Sequence, residues 1–234
     1  MADWQYKIAG KHDFNTKVHE LGTTFEGRAI LGLEIGDLDI ASEKPKIVID
    51  CGVHAREWIG PAACRQFVHE MLHNVGYPAE RVTADFTGEP MAGDPYTKSE
   101  IVQLFNDFNW YVILRIALKL RFIVAFGCRF QKTYFKAFDS MNPDGYQYTH
   151  DVDRMWRKNR ADNNHLCRGV DINLNFPIGF GEKGDSQTMN PCNFEYPSTQ
   201  PLDQPEARAY VDWLEHLHGQ GGPIAAQISV HSFG

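Results

Sequence analysis

Between residues 46 and 51 the chain reads KIVIDC, a short run dominated by β-branched residues that stops at Gly52. An apolar run of that length closed by glycine predicts a buried strand. The period then changes. Cys64, Phe67, Val68, Met71 and Leu72 fall at i, i+3, i+4, i+7 and i+8, so a helix over residues 60–74 turns one apolar stripe to a core. Pro61 suits its first turn, where a backbone N–H has no partner to lose. Further strands are predicted at residues 109–114 (NWYVIL), 168–172 (RGVDI) and 225–230 (AAQISV), with a helix over 204–217. Alternation of strand and helix predicts an α/β fold, a mixed and largely parallel sheet with helices on both faces. At 234 residues the chain is read as one domain, 1–234, with no internal repeat.

In such sheets ligands bind beyond the carboxyl ends of the strands. His54 follows the first strand, Asp171 lies near the end of RGVDI, and His231 directly follows AAQISV. His54, Glu57 and His231 together offer two imidazoles and a carboxylate, the donor set of a zinc ion that keeps its fourth position open. Asp171 suits the role of acceptor for the other N–H of a ligating imidazole. A rival lies on the predicted helix, where His69, Glu70 and His73 match H-E-x-x-H, the pattern of zinc endoproteases. Its longer form requires a third histidine at position 79, and the chain has Ala79. At about 100° per residue, His69 and His73 fall opposite the apolar stripe, on the side expected to face water. The cluster Arg157, Lys158 and Arg160 reads, without context, as a solvated charged face or a small anion patch.

A net charge of -7 argues against a general nucleic-acid or anionic-membrane binder. The first residues, MADWQYKIAG, contain no signal-peptide core. The apolar stretch within 115–140 is interrupted by Arg115, Lys119 and Arg121, which forbid an ordinary membrane span. Five cysteines allow at most two disulfides and leave the compartment open. Cys51 ends a strand and Cys64 lies on the helix stripe, so both are expected as free thiols packed like small hydrophobes.

Five motifs in order, HAREW, MNPDGYQYTH, DRMWRKNR, GVDINLNF and SVHSFG, resemble the zinc metallocarboxypeptidases of the pancreatic carboxypeptidase A/B type. The likeness runs from about Asn15 to Gly234. It implies a helix-sandwiched sheet and hydrolysis of C-terminal residues from peptides or proteins, by a monomeric, extracellular enzyme that engages neither nucleic acid nor membrane. It also implies one zinc ion held by His54, Glu57 and His231, with Arg157 polarising the scissile carbonyl. Arg56 and Arg154 match accessory subsite residues, Asn173 matches a residue that hydrogen-bonds the substrate carboxylate, and Cys167 and Cys192 match a family disulfide.

The chain departs from the family pattern in places. Leu174 stands where the family has an arginine that forks onto the substrate carboxylate. The family's general-base glutamate lies beyond the position of His231, so the resemblance implies a domain incomplete at both ends and inactive as it stands. Residues 115–140 break a strand just before N-x-D-G and are expected to be an insert foreign to the family, and residues 75–92 carry further excess length. The alternative is a non-catalytic relative that binds zinc or peptide.

Overall fold

The computed structural model describes residues 2–13, 16–36, 38, 45–75, 134–138, 140–163, 166–182 and 189–233. In chain order these form α1 (Ala2–Lys11), β1 (Thr16–Thr23), β2 (Ala29–Gly36), β3 (Lys46–Cys51), α2 (Ile59–Val75), β4 (Tyr134–Phe138), α3 (Pro143–Asp151), a 3-10 turn (Ile172–Leu174), α4 (Pro205–Gly219) and β5 (Ile224–Val230). Among the described residues the strands pair in two groups: β1 and β4 run antiparallel to β2 on either side of it, and β3 runs parallel to β5. Every residue of β3 is buried, as the unbroken apolar run KIVIDC requires of a strand covered on both faces. The helix stripe of α2 meets β3, and α4 and α1 pack on β1. Val48, Leu72, Ile172 and Leu217 close the core between these layers.

Two local devices shape the end of the sheet that matters for function. Gly52 takes a φ of +71° directly after β3, and a Cβ there would stand 2.9 Å from both Pro61 Cγ and Ser140 Oγ. Glycine at this point lets the chain leave the strand into HAREW without colliding with the helix that follows. The second device is Asp144, in the first turn of α3 and fully buried. Its Oδ1 accepts from Thr24 Oγ1 and Arg28 NH1, both at 2.7 Å, and its Oδ2 accepts from the Glu26 amide at 2.7 Å. The β1–β2 turn is thereby fastened to α3 across more than a hundred residues of sequence.

Three sequence expectations need correction or narrowing. Residues 168–172 form no strand. The Val170 amide donates to Asn159 Oδ1 at 2.8 Å, Gly169 sits at φ +86°, and Asp171 caps the 3-10 turn by accepting from the Asn173 amide. The backbone donors that a ladder would have used thus go to loop partners, Val170 to Asn159 Oδ1, Gly169 to Ala161 O and Asp171 to Tyr196 O. Cys51 and Cys64 are not free thiols, because the structure joins them in a disulfide. Both are buried where the stripe of α2 folds back over the end of β3, and that packing brings the two sulfurs together. Within the expected insert of 115–140, Tyr134–Phe138 pair with β2 in register from Gly36 to Gly32. The predicted strand at 109–114 and the excess length at 76–92 lie outside the described residues. No helix among the described residues is long and apolar enough to cross a membrane.

Candidate metal centre

His54 and Glu57 come from the loop after β3, and His231 from the residue after β5, so parallel pairing of the two strands brings all three to one sheet end. Their ligand atoms lie within 4.8 Å of one another. His54 Nδ1 is 2.7 Å from Glu57 Oε1, and His231 Nδ1 is 3.1 Å from His54 Nδ1 and 3.2 Å from Glu57 Oε2. A tetrahedral zinc site with ligand bonds near 2.0–2.1 Å has ligand atoms about 3.3 Å apart, so the spacing fits one ion. Orientation fits as well. His54 Nε2 is 3.2 Å from Asp171 Oδ1, an acceptor that demands the proton on that nitrogen and leaves the Nδ1 lone pair aimed at the cluster.

Asp171 has a second task. Its Oδ2 accepts from Arg157 Nε at 3.0 Å and NH2 at 2.9 Å, which fixes the guanidinium edge. The remaining nitrogen, NH1, stands 3.9 Å from Glu57 Oε1 and faces the ligand cluster. Burial favours the neutral Asp171 carboxyl, yet hydrogen bonding and charge from His54 and Arg157 hold it below the ordinary carboxylate range. Glu57 behaves similarly: burial opposes its charge, but His231, His54 and the Ser232 amide hold it down at about 2. Both carboxylates are therefore ionised and engaged.

Buried asparagines hold the loops that carry these groups. Asn142 caps α3 by accepting from the Gly145 amide at 2.9 Å, while its Nδ2 donates to Val53 O at 3.2 Å and Lys158 O at 3.0 Å. One side chain thus ties the segment before His54 to the segment after Arg157. The Ala55 amide donates to Arg157 O at 3.0 Å and reinforces the junction. Asn159 does the same between DRMWRKNR and α4, donating to Gln204 Oε1 and Glu206 Oε2 and accepting from the Val170 amide. Gly145 packs its Cα against Lys158 O, with no room there for a Cβ.

The other residues singled out in the sequence fall as follows. Arg154 NH1 donates to Arg56 O at 2.9 Å and its guanidinium lies 3.8 Å above the Trp58 ring. Arg56 and Arg157 both approach the Phe194 ring, at 5.8 and 5.9 Å. Asn173 is exposed beside Asp171, and Leu174, half-buried, ends the 3-10 turn. Cys167 and Cys192 are joined by a disulfide. Next to Arg157 opens a cleft of about 440 Å³ with Trp156, Lys158, Arg160 and Phe194 in its walls. Of the rival triplet, His69 is exposed on α2 and takes no part in the cluster; the side chains of Glu70 and His73 lie outside the description. Sequence reasoning gave no role to Phe194, Asn142 or Asn159. The latter two stand inside the quoted motifs, which was the available signal.

Comparison with known proteins identifies the family. A family profile described as zinc carboxypeptidase matches residues 1–117 and 129–234. Carboxypeptidase O of Bos taurus is 30% identical over 99% of this chain, and the match takes in 48% of that protein. A protein of Paracoccidioides brasiliensis named inactive metallocarboxypeptidase ECM14 is 28% identical over 98% of this chain and 32% of its own length. The structure of bovine thrombin-activatable fibrinolysis inhibitor in complex with tick carboxypeptidase inhibitor superimposes with a TM-score of 0.68 at 25% identity, over 99% of this chain and 58% of that one. The chain spans less than half the length of both sequence relatives.

Proposed function

The chain belongs to the zinc carboxypeptidase family, and from that premise we propose that it is a peptidase domain binding one Zn2+ through His54, Glu57 and His231 to hydrolyse the last peptide bond of peptides or proteins. The convergence of two imidazole Nδ1 atoms and a carboxylate within 3.2 Å at one sheet end carries the reading. Zinc, when bound, supplies a Lewis acid and lowers the pKa of water at its open position. The chain's own residues do the rest. Asp171 holds His54 in the tautomer that ligates and holds Arg157 by two nitrogens, so that Arg157 NH1 is left to donate to a carbonyl oxygen as negative charge develops there. Arg56 and Arg154, braced on Phe194 and Trp58, offer cations to a bound peptide's backbone. Asn173 serves the substrate's terminal carboxylate. Leu174 brings no guanidinium to that task. Glu57 and Asp171 are both engaged, and the family resemblance implies a glutamate beyond the position of His231 as acceptor for the proton of the attacking water. The Cys167–Cys192 disulfide supports an extracellular setting.

The second reading is a zinc- and peptide-binding relative without hydrolysis, favoured by Leu174 and by the relative named inactive. Zinc titration of the full chain, with His54→Ala and His231→Ala beside it, tests the metal centre: one ion per chain is expected, lost in both variants. Incubation with C-terminally blocked and unblocked peptides then separates the readings. Release of the last residue only from the unblocked peptide supports the peptidase; zinc binding with no release supports the binder. A wild-type chain that takes up no zinc overturns both.

A further inference from the structure

The polar groups behind His231 form a chain that the assignment above does not use. Gln227, Ser229 and His231 follow one another at a spacing of two along and just past β5, and so lie on one face of that strand. Asp50 of β3 pairs in register with Ser229, and its carboxylate is 2% exposed. Ser229 Oγ donates to Asp50 Oδ1 at 2.6 Å, and Tyr210 Oη, reaching down from α4, donates to Asp50 Oδ2 at 2.8 Å. Gln227 Nε2 donates to Tyr210 Oη at 2.7 Å. His231 Nε2 lies 3.3 Å from Ser229 Oγ.

The direction of these bonds follows from donor counting. A hydroxyl has one proton to give, and Ser229 gives it to Asp50 Oδ1; burial pushes the Asp50 carboxyl up, opposed by the bonds that Ser229 and Tyr210 donate to its two oxygens. Ser229 Oγ can therefore meet His231 Nε2 only as an acceptor, which puts the imidazole proton on Nε2 and leaves the Nδ1 lone pair pointing at His54 and Glu57. Resting on the metal centre already proposed, we infer that Asp50, acting through Ser229, is the positioning residue that sets the tautomer and ring orientation of His231 for zinc. The pair does for His231 what Asp171 does directly for His54. A part-exposed imidazole needs this more than a buried one, since solvent otherwise competes for either nitrogen.

The test is zinc affinity by competition with a chromophoric chelator on the full chain, together with the unfolding temperature of the metal-free protein. Ser229→Ala should weaken zinc binding roughly 10- to 100-fold, the usual consequence of losing such a partner, while stoichiometry stays at one and the metal-free unfolding temperature stays put. Ser229→Thr, which keeps the hydroxyl and suits a strand, should restore affinity to near wild type. Asp50→Asn should weaken zinc binding as Ser229→Ala does, with a lower unfolding temperature because Asp50 is buried. Wild-type affinity in Ser229→Ala, or failure of Ser229→Thr to rescue a loss, overturns the positioning role while leaving the metal centre intact. Undiminished affinity in His231→Ala, or no zinc uptake by the wild type, removes the metal centre itself and the inference with it.

Discussion

Asn142 shows how a single side chain can govern a site it does not enter. It is fully buried and makes three hydrogen bonds, to the Gly145 amide, Val53 O and Lys158 O. Asn142→Ala leaves those partners unpaired in a dry interior, each loss worth about 1–3 kcal/mol, so a destabilisation of at least about 2 kcal/mol is expected. Asn142→Asp should recover only the cap, because a carboxylate cannot donate to two carbonyls. Urea unfolding of the two variants checks the order, with weakened zinc binding expected in both. At this scale the converging His54, Glu57 and His231, and Asp171 behind His54, were legible in the sequence, while the asparagine supports were not. His54 and His231 stand just past apolar runs, where strands deliver side chains to a shared edge. A buried asparagine, by contrast, looks in sequence like an asparagine in any solvated turn, and only the tertiary approach of two loops gives it work.

Among the elements, α4 buries a carboxylic acid. Glu206 lies in its first turn at 1% exposure, and burial above all pushes its carboxyl up to about 7, with the nearby Asp144 adding to the rise. The folded state then binds a proton that the unfolded chain, with an ordinary value of 4.5, releases earlier. Stability contributed by this group is full below about pH 4.5 and falls as pH rises through about 7. Glu206→Gln should flatten that decline and unfold at a higher temperature than wild type at pH 8, which calorimetry at pH 5 and pH 8 would show. The elements themselves were readable where one period dominated: the helix expected at 60–74 spans Ile59–Val75, and KIVIDC is β3. RGVDI failed because its backbone donors go to Asn159 Oδ1, Ala161 O and Tyr196 O, loop partners that β propensity does not register.

For the whole molecule, the centre is assembled by pairing β3 with β5 across most of the chain's length, while residues 118–128 alone fall outside the family match. No group of the metal centre or of its asparagine clamps comes from that stretch. A chain lacking residues 118–128 should therefore bind zinc within about twofold of the full chain, and equilibrium dialysis of the two would reveal any dependence. The α/β class was legible from the alternation of periods. The balance of parallel and antiparallel pairs was not, since a buried strand reads as a continuous apolar run whichever way its neighbour points.

The bonds that Asp144 makes to the β1–β2 turn have a consequence for motion. A reverse turn ordinarily opens by itself, at little cost and without reference to the rest of the protein. Here Thr24, Glu26 and Arg28 are held by a helix whose cap, Asn142, also holds the strand exit leading to His54. Opening of the turn and loosening of the ligand loop become parts of one fluctuation. An ion that tightens the loop then slows amide exchange at a hairpin tip it never touches, so that the tip reports occupancy of the centre at a distance.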